Sequence, residues 1–191
     1  MNASNQAEMQ SVQVSGDRVA LVRRLMKIGE LPELVGDDVY EVPTNEYIDP
    51  EYFQNEVDVM FRRYPAYVGL SSEVAQPGDY KTATVGGVPI MVLRGEDGTL
   101  RGFRNTCQHR GAPVLMESRG SGIQKMSCRY HGWTYNDQGA LVGVPMGKGG
   151  FPCLNRDENG LIPIQVQEKY GLIFTVIDTD VPFDLEHHLG E

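Results

Sequence analysis

CQHRG at residues 107–111 and CRYHGW at residues 128–133 are the two stretches that decide how this chain folds. Each contains one cysteine and one histidine, so together they offer four soft or borderline ligands of the kind that hold iron or zinc. Eighteen residues lie between the two pairs. The spacing predicts two short loops that face one another. The ligands that they would bring together are Cys107, His109, Cys128 and His131.

Gly111 and Gly132 close the two loops and suit an iron–sulfur cluster better than a bare ion. Glycine permits tight turns with positive φ, and such turns leave backbone N–H groups pointing inward. Inward donors stabilise sulfide ions and tune the potential of a cluster. A zinc site with two cysteines and two histidines stays open as the alternative. It is weakened because structural zinc sites usually separate paired ligands by two residues or more, and Cys107 and His109 are separated by one.

This pattern resembles that of the Rieske [2Fe–2S] family, which is Cys-x-His, a spacer of similar length, and then Cys-x-x-His-Gly. In that family two histidines replace two cysteines on one of the two irons. The resemblance implies a [2Fe–2S] cluster in which Cys107 and Cys128 hold one iron. It implies that His109 and His131 hold the other.

Trp133 and the small number of cysteines indicate a branch of this family. The respiratory members of the family share this pattern, but they have a second cysteine in each loop and a serine directly after His-Gly. This chain has Trp133 at that position, and its third cysteine, Cys153, has no partner. An indole mostly covers apolar surface. The string CRYHGWTY at residues 128–135 is similar to the large subunit of ring-hydroxylating oxygenases, which implies a low-potential cluster with Trp133 beside it.

The predicted fold class is mainly β, a Rieske-type antiparallel β-sandwich with a small cluster-binding subdomain, preceded by two N-terminal helices. Apolar residues recur at helical spacing over 17–28. The second helix is predicted to begin with Asp49 as its N-cap and Pro50 in its first turn. We expect core packing for its apolar stripe, which consists of Tyr52, Phe53, Val57, Met60 and Phe61.

Short strands are predicted from Val68 onward. Residues 80–85 and 88–94 are separated by Gly86-Gly87, a two-residue hairpin signal. Residues 143–160 are rich in glycine and proline, which predicts an irregular excursion containing Cys153 as an ordinary small apolar residue. Further strands are predicted over 100–106, 123–127, 133–135, 161–167 and 171–177, with a turn at Glu168-Lys169 between the last two.

Composition and charge exclude several classes of partner. The hydrophobic content of 40% and the charged content of 23% are ordinary for a globular protein. A net charge of −9 argues against nucleic acid and against an anionic membrane. The odd cysteine count and the absence of an apolar run in residues 1–10 predict a cytoplasmic protein.

We divide the chain into an N-terminal tail with helices at 1–65, the Rieske domain at 66–180, and a final segment at 181–191. In the family that the chain resembles, a longer catalytic domain with a mononuclear iron follows. The final segment is therefore predicted to be the start of such a domain. The adjacent His187 and His188 are predicted to be solvated, and this chain alone is predicted not to oxygenate a substrate.

The predicted function is electron transfer through the cluster, as the Rieske portion of an oxygenase large subunit. The resemblance implies an NAD(P)H-dependent reductase or a ferredoxin as the electron donor. It implies a catalytic domain or a neighbouring subunit as the acceptor, and a trimer for the full-length protein. Two alternatives stay open, a stand-alone Rieske ferredoxin-type carrier and a non-redox protein that binds zinc or no cluster.

Overall fold

The computed structural model describes residues 41–190, together with residues 20, 22, 23, 26 and 27. The chain divides into two compact units, Met1–Thr44 and Asn45–Glu191, and the second contains the fold described below. Most of the predicted helix at 17–28 lies outside the described residues. The residues within it that are described are helical.

Short strands make up most of the second unit. The strands are β1 (Ala66–Leu70), β2 (Tyr80–Val85), β3 (Val88–Arg94), β4 (Leu100–Arg104), β5 (Arg119–Gly120), β6 (Lys125–Ser127), β7 (Thr134–Asn136), β8 (Leu141–Gly143), β9 (Pro163–Lys169) and β10 (Leu172–Val176). The α-helices between residues 41 and 190 are α1 (Pro50–Glu56), α2 (Gly147–Gly150) and α3 (Leu185–Leu189). The remaining helical turns are Thr44–Tyr47, Ser71–Val74 and Asp157–Asn159, all 3-10, and Val57–Phe61, which is π-helical and continues α1.

The strands form two antiparallel sheets. Seven of them pair in the order β1-β10-β9-β4-β3-β2-β5, and β6-β7-β8 make a separate small sheet. We call residues 107–111 and 128–133 the two ligand loops, after their predicted role. The first ligand loop follows β4, and the second connects β6 to β7. The predicted mainly β, antiparallel fold is therefore confirmed, and the predicted loops that contain Cys107 and Cys128 adjoin the ends of its strands. The hairpin of β2 and β3 has the predicted bounds, with Gly86 and Gly87 between the strands.

The central strand β3 separates two apolar clusters because successive side chains of a strand point to opposite faces. Ile90 and Val92 belong to a cluster within the large sheet that also contains side chains from β1, β9 and β10. Met91 and Leu93 belong to the other cluster, which contains both ligand cysteines. All four β3 side chains are at most 1% exposed. The ligand loops therefore rest on a rigid, fully packed layer.

The start of α1 is confirmed, but the burial of its apolar stripe is not. The N–H of Glu51 donates to Asp49 Oδ1 at 2.8 Å, and Pro50 is the first helical residue. The prediction that the stripe forms core is wrong, because Phe53 is 60% exposed and Met60 is 56% exposed. Tyr52 and Phe61 are exposed as well. Side chains from strands and loops fill both apolar clusters, so no described element covers this face of α1.

The turn between the last two strands also differs from the prediction. β9 continues to Lys169 and β10 begins at Leu172, so Tyr170 and Gly171 form the turn. Their φ values of 53° and 78° are those of a tight hairpin turn with left-handed residues. Glu168 and Lys169 stay in the strand because they pair with Ile173 and Leu172 of β10. The Glu168 carboxylate also accepts two hydrogen bonds from the Arg94 guanidinium, at 2.6 and 2.8 Å.

The predicted irregular excursion at 143–160 contains α2 and one 3-10 turn, and Cys153 within it is exposed. Asp184 caps α3, accepting a hydrogen bond from the N–H of His187 at 3.0 Å. His187 and His188 are both exposed, as predicted. None of the helices in the described part of the chain combines the length and the hydropathy that crossing a membrane requires.

Candidate metal centre

The two ligand loops have the same backbone design. In each loop the cysteine N–H donates to the carbonyl five residues later, at 2.8 Å in both cases. The glycine four residues after the cysteine donates its N–H back to the cysteine carbonyl, at 2.9 Å in both cases. Gly111 and Gly132 have φ values of 71° and 70°, which other residues rarely adopt. The repeated geometry places Cys107 and Cys128 at equivalent positions.

The structure places the predicted ligands in two pairs, the cysteines in one apolar cluster and the histidines with their rings close together. The thiols of Cys107 and Cys128 lie in the interior, where the residues are 2% and 3% exposed. The rings of His109 and His131 lie nearer the surface, with centroids 4.7 Å apart and planes at 73°. The site therefore has an inner side made of sulfur and an outer side made of imidazole.

His109 Nδ1 is a buried polar atom without a hydrogen-bond partner. An unpaired buried nitrogen of this kind is costly unless something binds it. Burial lowers the pKa of His109, and the positive charges of His131 and Arg110 lower it further. Both effects favour the neutral imidazole, which is the form that binds a metal. The donor set and its electrostatics fit an iron–sulfur cluster with its histidines on the outer side.

The described side chains form no preformed site for a single metal ion. Within the part of the chain that the structure describes, no group of three or more His, Cys, Asp or Glu side chains is arranged to hold one ion. A zinc site needs four ligands round one point. A two-iron cluster needs only two protein ligands on each iron.

Three aromatic side chains pack against the two histidines of the site. Trp133 stacks on the ring of His109, with centroids 5.0 Å apart and planes at 9°, and is 4% exposed. Phe151 meets both rings edge-on, at 5.6 Å from His109 and 5.7 Å from Trp133. Tyr130 lies on the ring of His131 at 3.8 Å. Trp133 therefore lies beside the predicted ligand His109, and Phe151 contacts both rings from the excursion after β8.

Tyr135 is a site residue that the sequence analysis did not single out. Its hydroxyl accepts a hydrogen bond from the N–H of Gln108 at 3.0 Å and lies 3.4 Å from Cys107 Sγ. Burial raises the pKa of Tyr135, and the hydrogen bond to Cys107 raises it further, so the hydroxyl stays protonated and can donate to sulfur. The available signal was strand alternation in β7, which puts Tyr135 on the same face as Trp133.

Comparison with known proteins identifies the family to which this part of the chain belongs. Residues 65–155 match the family model of the Rieske [2Fe–2S] domain. The alpha subunit of chlorobenzene dioxygenase from a Cupriavidus species is 37% identical over 145 residues, which are 76% of this chain and 32% of that subunit. The alpha subunit of biphenyl 2,3-dioxygenase from Rhodococcus jostii is 33% identical over 162 residues, 85% of this chain and 35% of that subunit. The chain spans about a third of the length of these relatives.

Solved structures show the same fold. A quaternary ammonium Rieske monooxygenase superposes with a TM-score of 0.75 and 30% identity, covering 81% of this chain and 41% of that one. Naphthalene 1,2-dioxygenase from a Rhodococcus species superposes with a TM-score of 0.72 and 31% identity, covering 92% and 38%. Residues 65–155 of this chain are therefore a Rieske [2Fe–2S] domain, and its relatives are the alpha subunits of ring-hydroxylating dioxygenases.

Proposed function

We propose that this chain transfers electrons as the Rieske portion of an oxygenase large subunit. Cys107 and Cys128 hold one iron of the [2Fe–2S] cluster, and His109 and His131 hold the other. Trp133 covers one face of the His109 ring. The bound cluster supplies one-electron chemistry, and the residues of this chain hold it, surround it with donors and bring its outer side close to the surface.

One observation carries the ligand assignment. His109 Nδ1 is buried without a hydrogen-bond partner beside two buried cysteines, in loops that share one backbone pattern. No polar group among the described residues satisfies this nitrogen, so a ligand bond is the simplest way to satisfy it. The neutral imidazole that binding requires is also the form that the surroundings favour.

The partners follow from the relatives, which are oxygenase subunits. We propose an NAD(P)H-dependent reductase or a ferredoxin as the donor. We propose a mononuclear iron, in a catalytic domain or a neighbouring subunit, as the acceptor, and a trimer for the full-length protein. In this proposal the Rieske domain covers residues 66–180, and residues 181–191 begin the catalytic domain. We also propose that the protein is cytoplasmic, because an odd cysteine count fits a reducing compartment. A stand-alone carrier and a zinc protein are less favoured, given these relatives and the ligand geometry.

The test of this proposal is the metal content and spectrum of the purified, reconstituted chain. We expect two irons and two sulfides per chain, absorption bands that bleach with dithionite, and an electron paramagnetic resonance (EPR) spectrum of the Rieske type in the reduced state. Stoichiometric zinc with no visible bands would contradict the proposal. The alpha subunit of a relative, purified in parallel, serves as the positive control.

The first quantitative prediction concerns the reduction potential. Position 133 holds an indole in place of a hydroxyl, so no serine at this position donates a hydrogen bond to the cluster. We therefore expect a midpoint near the low end of the Rieske range, around −150 mV. Protein-film voltammetry measures it directly, and a midpoint well above zero would contradict the low-potential assignment. Trp133→Ser raises the midpoint only if the new hydroxyl reaches a sulfide.

The second prediction concerns the Tyr135 hydroxyl. Reduction increases the negative charge on the ligand sulfur, and a donor at 3.4 Å from Cys107 Sγ stabilises that charge. The Tyr135→Phe variant should therefore have a lower midpoint potential, by about 60 mV if the lost stabilisation is about 1.4 kcal/mol for one electron. Tyr130→Phe is the matched control, because it also removes a hydroxyl beside the site but not one bonded to sulfur. Equal midpoint potentials for Tyr135→Phe and the unmodified chain would contradict the prediction.

A further inference from the structure

A buried amide side chain lies directly before the first ligand loop. Asn105 is 5% exposed and precedes Cys107 by two residues. Of the amide, aliphatic hydroxyl and charged side chains in the described part of the chain, only Asn105 and Thr175 are buried. Burial of a carboxamide is costly unless its oxygen and its nitrogen are both hydrogen-bonded. The partners of Asn105 therefore indicate why an amide is placed at this position.

The Asn105 carboxamide bonds to the backbone of Val114 and Leu115. Its Oδ1 accepts hydrogen bonds from the N–H groups of both residues, each at 3.0 Å. Its Nδ2 donates to the Leu115 carbonyl at 2.7 Å. These partners fix the orientation of the amide, because the reversed orientation would turn its NH₂ group toward two N–H donors. A carboxylate of the same shape cannot replace it, since a carboxylate has no donor.

These hydrogen bonds connect the two ends of the first ligand loop. Residues 107–111 lie between Asn105 and Val114. The backbone N–H of Asn105 donates to the Pro89 carbonyl of β3 at 2.8 Å, so the start of the loop is fixed to the large sheet. The carboxamide then holds the segment after the loop against the same point. Val114 is 2% exposed and packs in the apolar cluster that contains both ligand cysteines.

The second ligand loop is closed by strands and needs no such side chain. Ser127 and Thr134 flank that loop and form a cross-strand pair of β6 and β7. Residues 105–118, which contain the first ligand loop, include no strand. Among the described residues, only Asn105 hydrogen-bonds to the backbone of the two residues that it holds. Its side chain therefore closes the first ligand loop in the way that a strand pair closes the second.

We propose that Asn105 is a positioning residue for the cluster, which fixes the places of Cys107 and His109 by closing the first ligand loop. This inference rests on the proposed function. The Asn105 carboxamide bonds to the backbone that follows the loop, so it acts through the loop and not on the cluster itself. Outer partners of this kind lock the ligands before metal binds, and their removal typically lowers metal affinity about 10-fold to 100-fold.

Hydrogen exchange in the unmodified chain tests the closure of the loop without any variant. The N–H groups of Val114 and Leu115 lie outside every strand, yet they should be protected by a factor of about 100 or more relative to Met116. Met116 is the internal control, because its N–H has no hydrogen-bond partner among the described residues. Mass spectrometry with residue-level fragmentation measures the three rates. Equal protection of all three N–H groups would overturn the proposal.

The variant Asn105→Leu keeps the approximate volume of the side chain and removes its hydrogen bonds. Release of iron to an excess of chelator, followed through the absorption bands of the cluster, should become about 10-fold faster or more. The EPR spectrum of the reduced chain should also broaden, because a looser loop holds the cluster in a wider range of geometries. A residue that served only the stability of the fold would change neither the release rate nor the EPR linewidth selectively.

Thr175→Val is the matched control. It removes a buried hydroxyl that donates to the Gln165 carbonyl at 2.6 Å, within the large sheet and outside both ligand loops. Both variants should lower the temperature of thermal unfolding, because each leaves a buried backbone group without its partner. In Thr175→Val, however, the rate of iron release should stay within twofold of that of the unmodified chain, and the EPR linewidth should be unchanged.

The possible results separate this inference from the proposed function. An unmodified chain that assembles no two-iron cluster would overturn the proposed function, whereas fast exchange at Val114 and Leu115 in a loaded chain would overturn the role of Asn105 alone. Failure of Asn105→Leu to take up iron, with a native circular dichroism spectrum and a fully loaded Thr175→Val, would support the positioning role. An unchanged release rate in Asn105→Leu, or an equal rise in both variants, would overturn it.

Discussion

Replacing His109 with cysteine is expected to abolish the Rieske-type EPR spectrum of the reduced chain and to lower its midpoint potential. Histidine is a neutral ligand, whereas a thiolate adds negative charge to the site and stabilises the oxidised form. Clusters held by four cysteines lie near −400 mV, and Rieske clusters lie at about −150 to +300 mV. One exchanged ligand should therefore lower the midpoint by on the order of 100 mV, and a double variant with His131→Cys should approach the plant-type value.

His187→Cys is the matched control, because it makes the same substitution at an exposed histidine of α3. Its spectrum and midpoint should equal those of the unmodified chain. Loss of the cluster from His109→Cys would also support the ligand assignment, since it shows that the site needs the imidazole. An unchanged Rieske spectrum in His109→Cys would contradict the assignment, whatever the stability of the variant.

The chain by itself is expected to accept electrons and to form no hydroxylated product. Activation of O₂ by Rieske oxygenases needs a separate iron with two histidines, one carboxylate and open coordination positions. The sequence has four histidines, and two of them belong to the ligand loops. His187 and His188 are neighbours on α3, where consecutive side chains point about 100° apart and do not converge on one metal face.

The measurement combines the reconstituted chain with a reductase, NADH, ferrous iron and air, and assays both NADH-driven cluster reduction and product formation. Candidate aromatic and amine substrates are supplied in turn, and products are quantified by mass spectrometry. A full-length relative in the same mixture is the positive control. Substrate-dependent product from this chain would show that it contains a further iron site, and the variants His187→Ala and His188→Ala would then test whether α3 supplies it.

The candidate site was largely predictable because its determinants are local in sequence. Cys107 and His109 are separated by one residue, Cys128 and His131 by two, and a glycine closes each loop. Short loops with fixed ends allow few conformations, so spacing alone predicted two matching ligand loops. Tyr135 reaches Cys107 from 28 residues away, across the small sheet, and no local pattern encodes that distance.

Local patterns also determined the hairpin of β2 and β3 and the start of α1. Gly86-Gly87 supplies a turn that twists in the same sense as its strands, and Asp49 satisfies an N–H that α1 leaves unpaired. Each feature depends on interactions within a few residues. The amino-acid sequence of each segment therefore contains the information that determines the hairpin and the start of α1.

Only the tertiary structure decided which apolar faces are buried and which residues form the last turn. The stripe of α1 has helical periodicity, but burial also needs an element to cover it, and Phe53 stays exposed. Glu168 remains in β9 because its backbone pairs with Ile173 of β10. Sequence alone predicted the ligand set and the strand-rich fold, because both depend on short-range sterics and hydrogen bonds. Tertiary contacts decided burial and the Tyr135 hydrogen bond, because these depend on segments that meet only after the chain has folded.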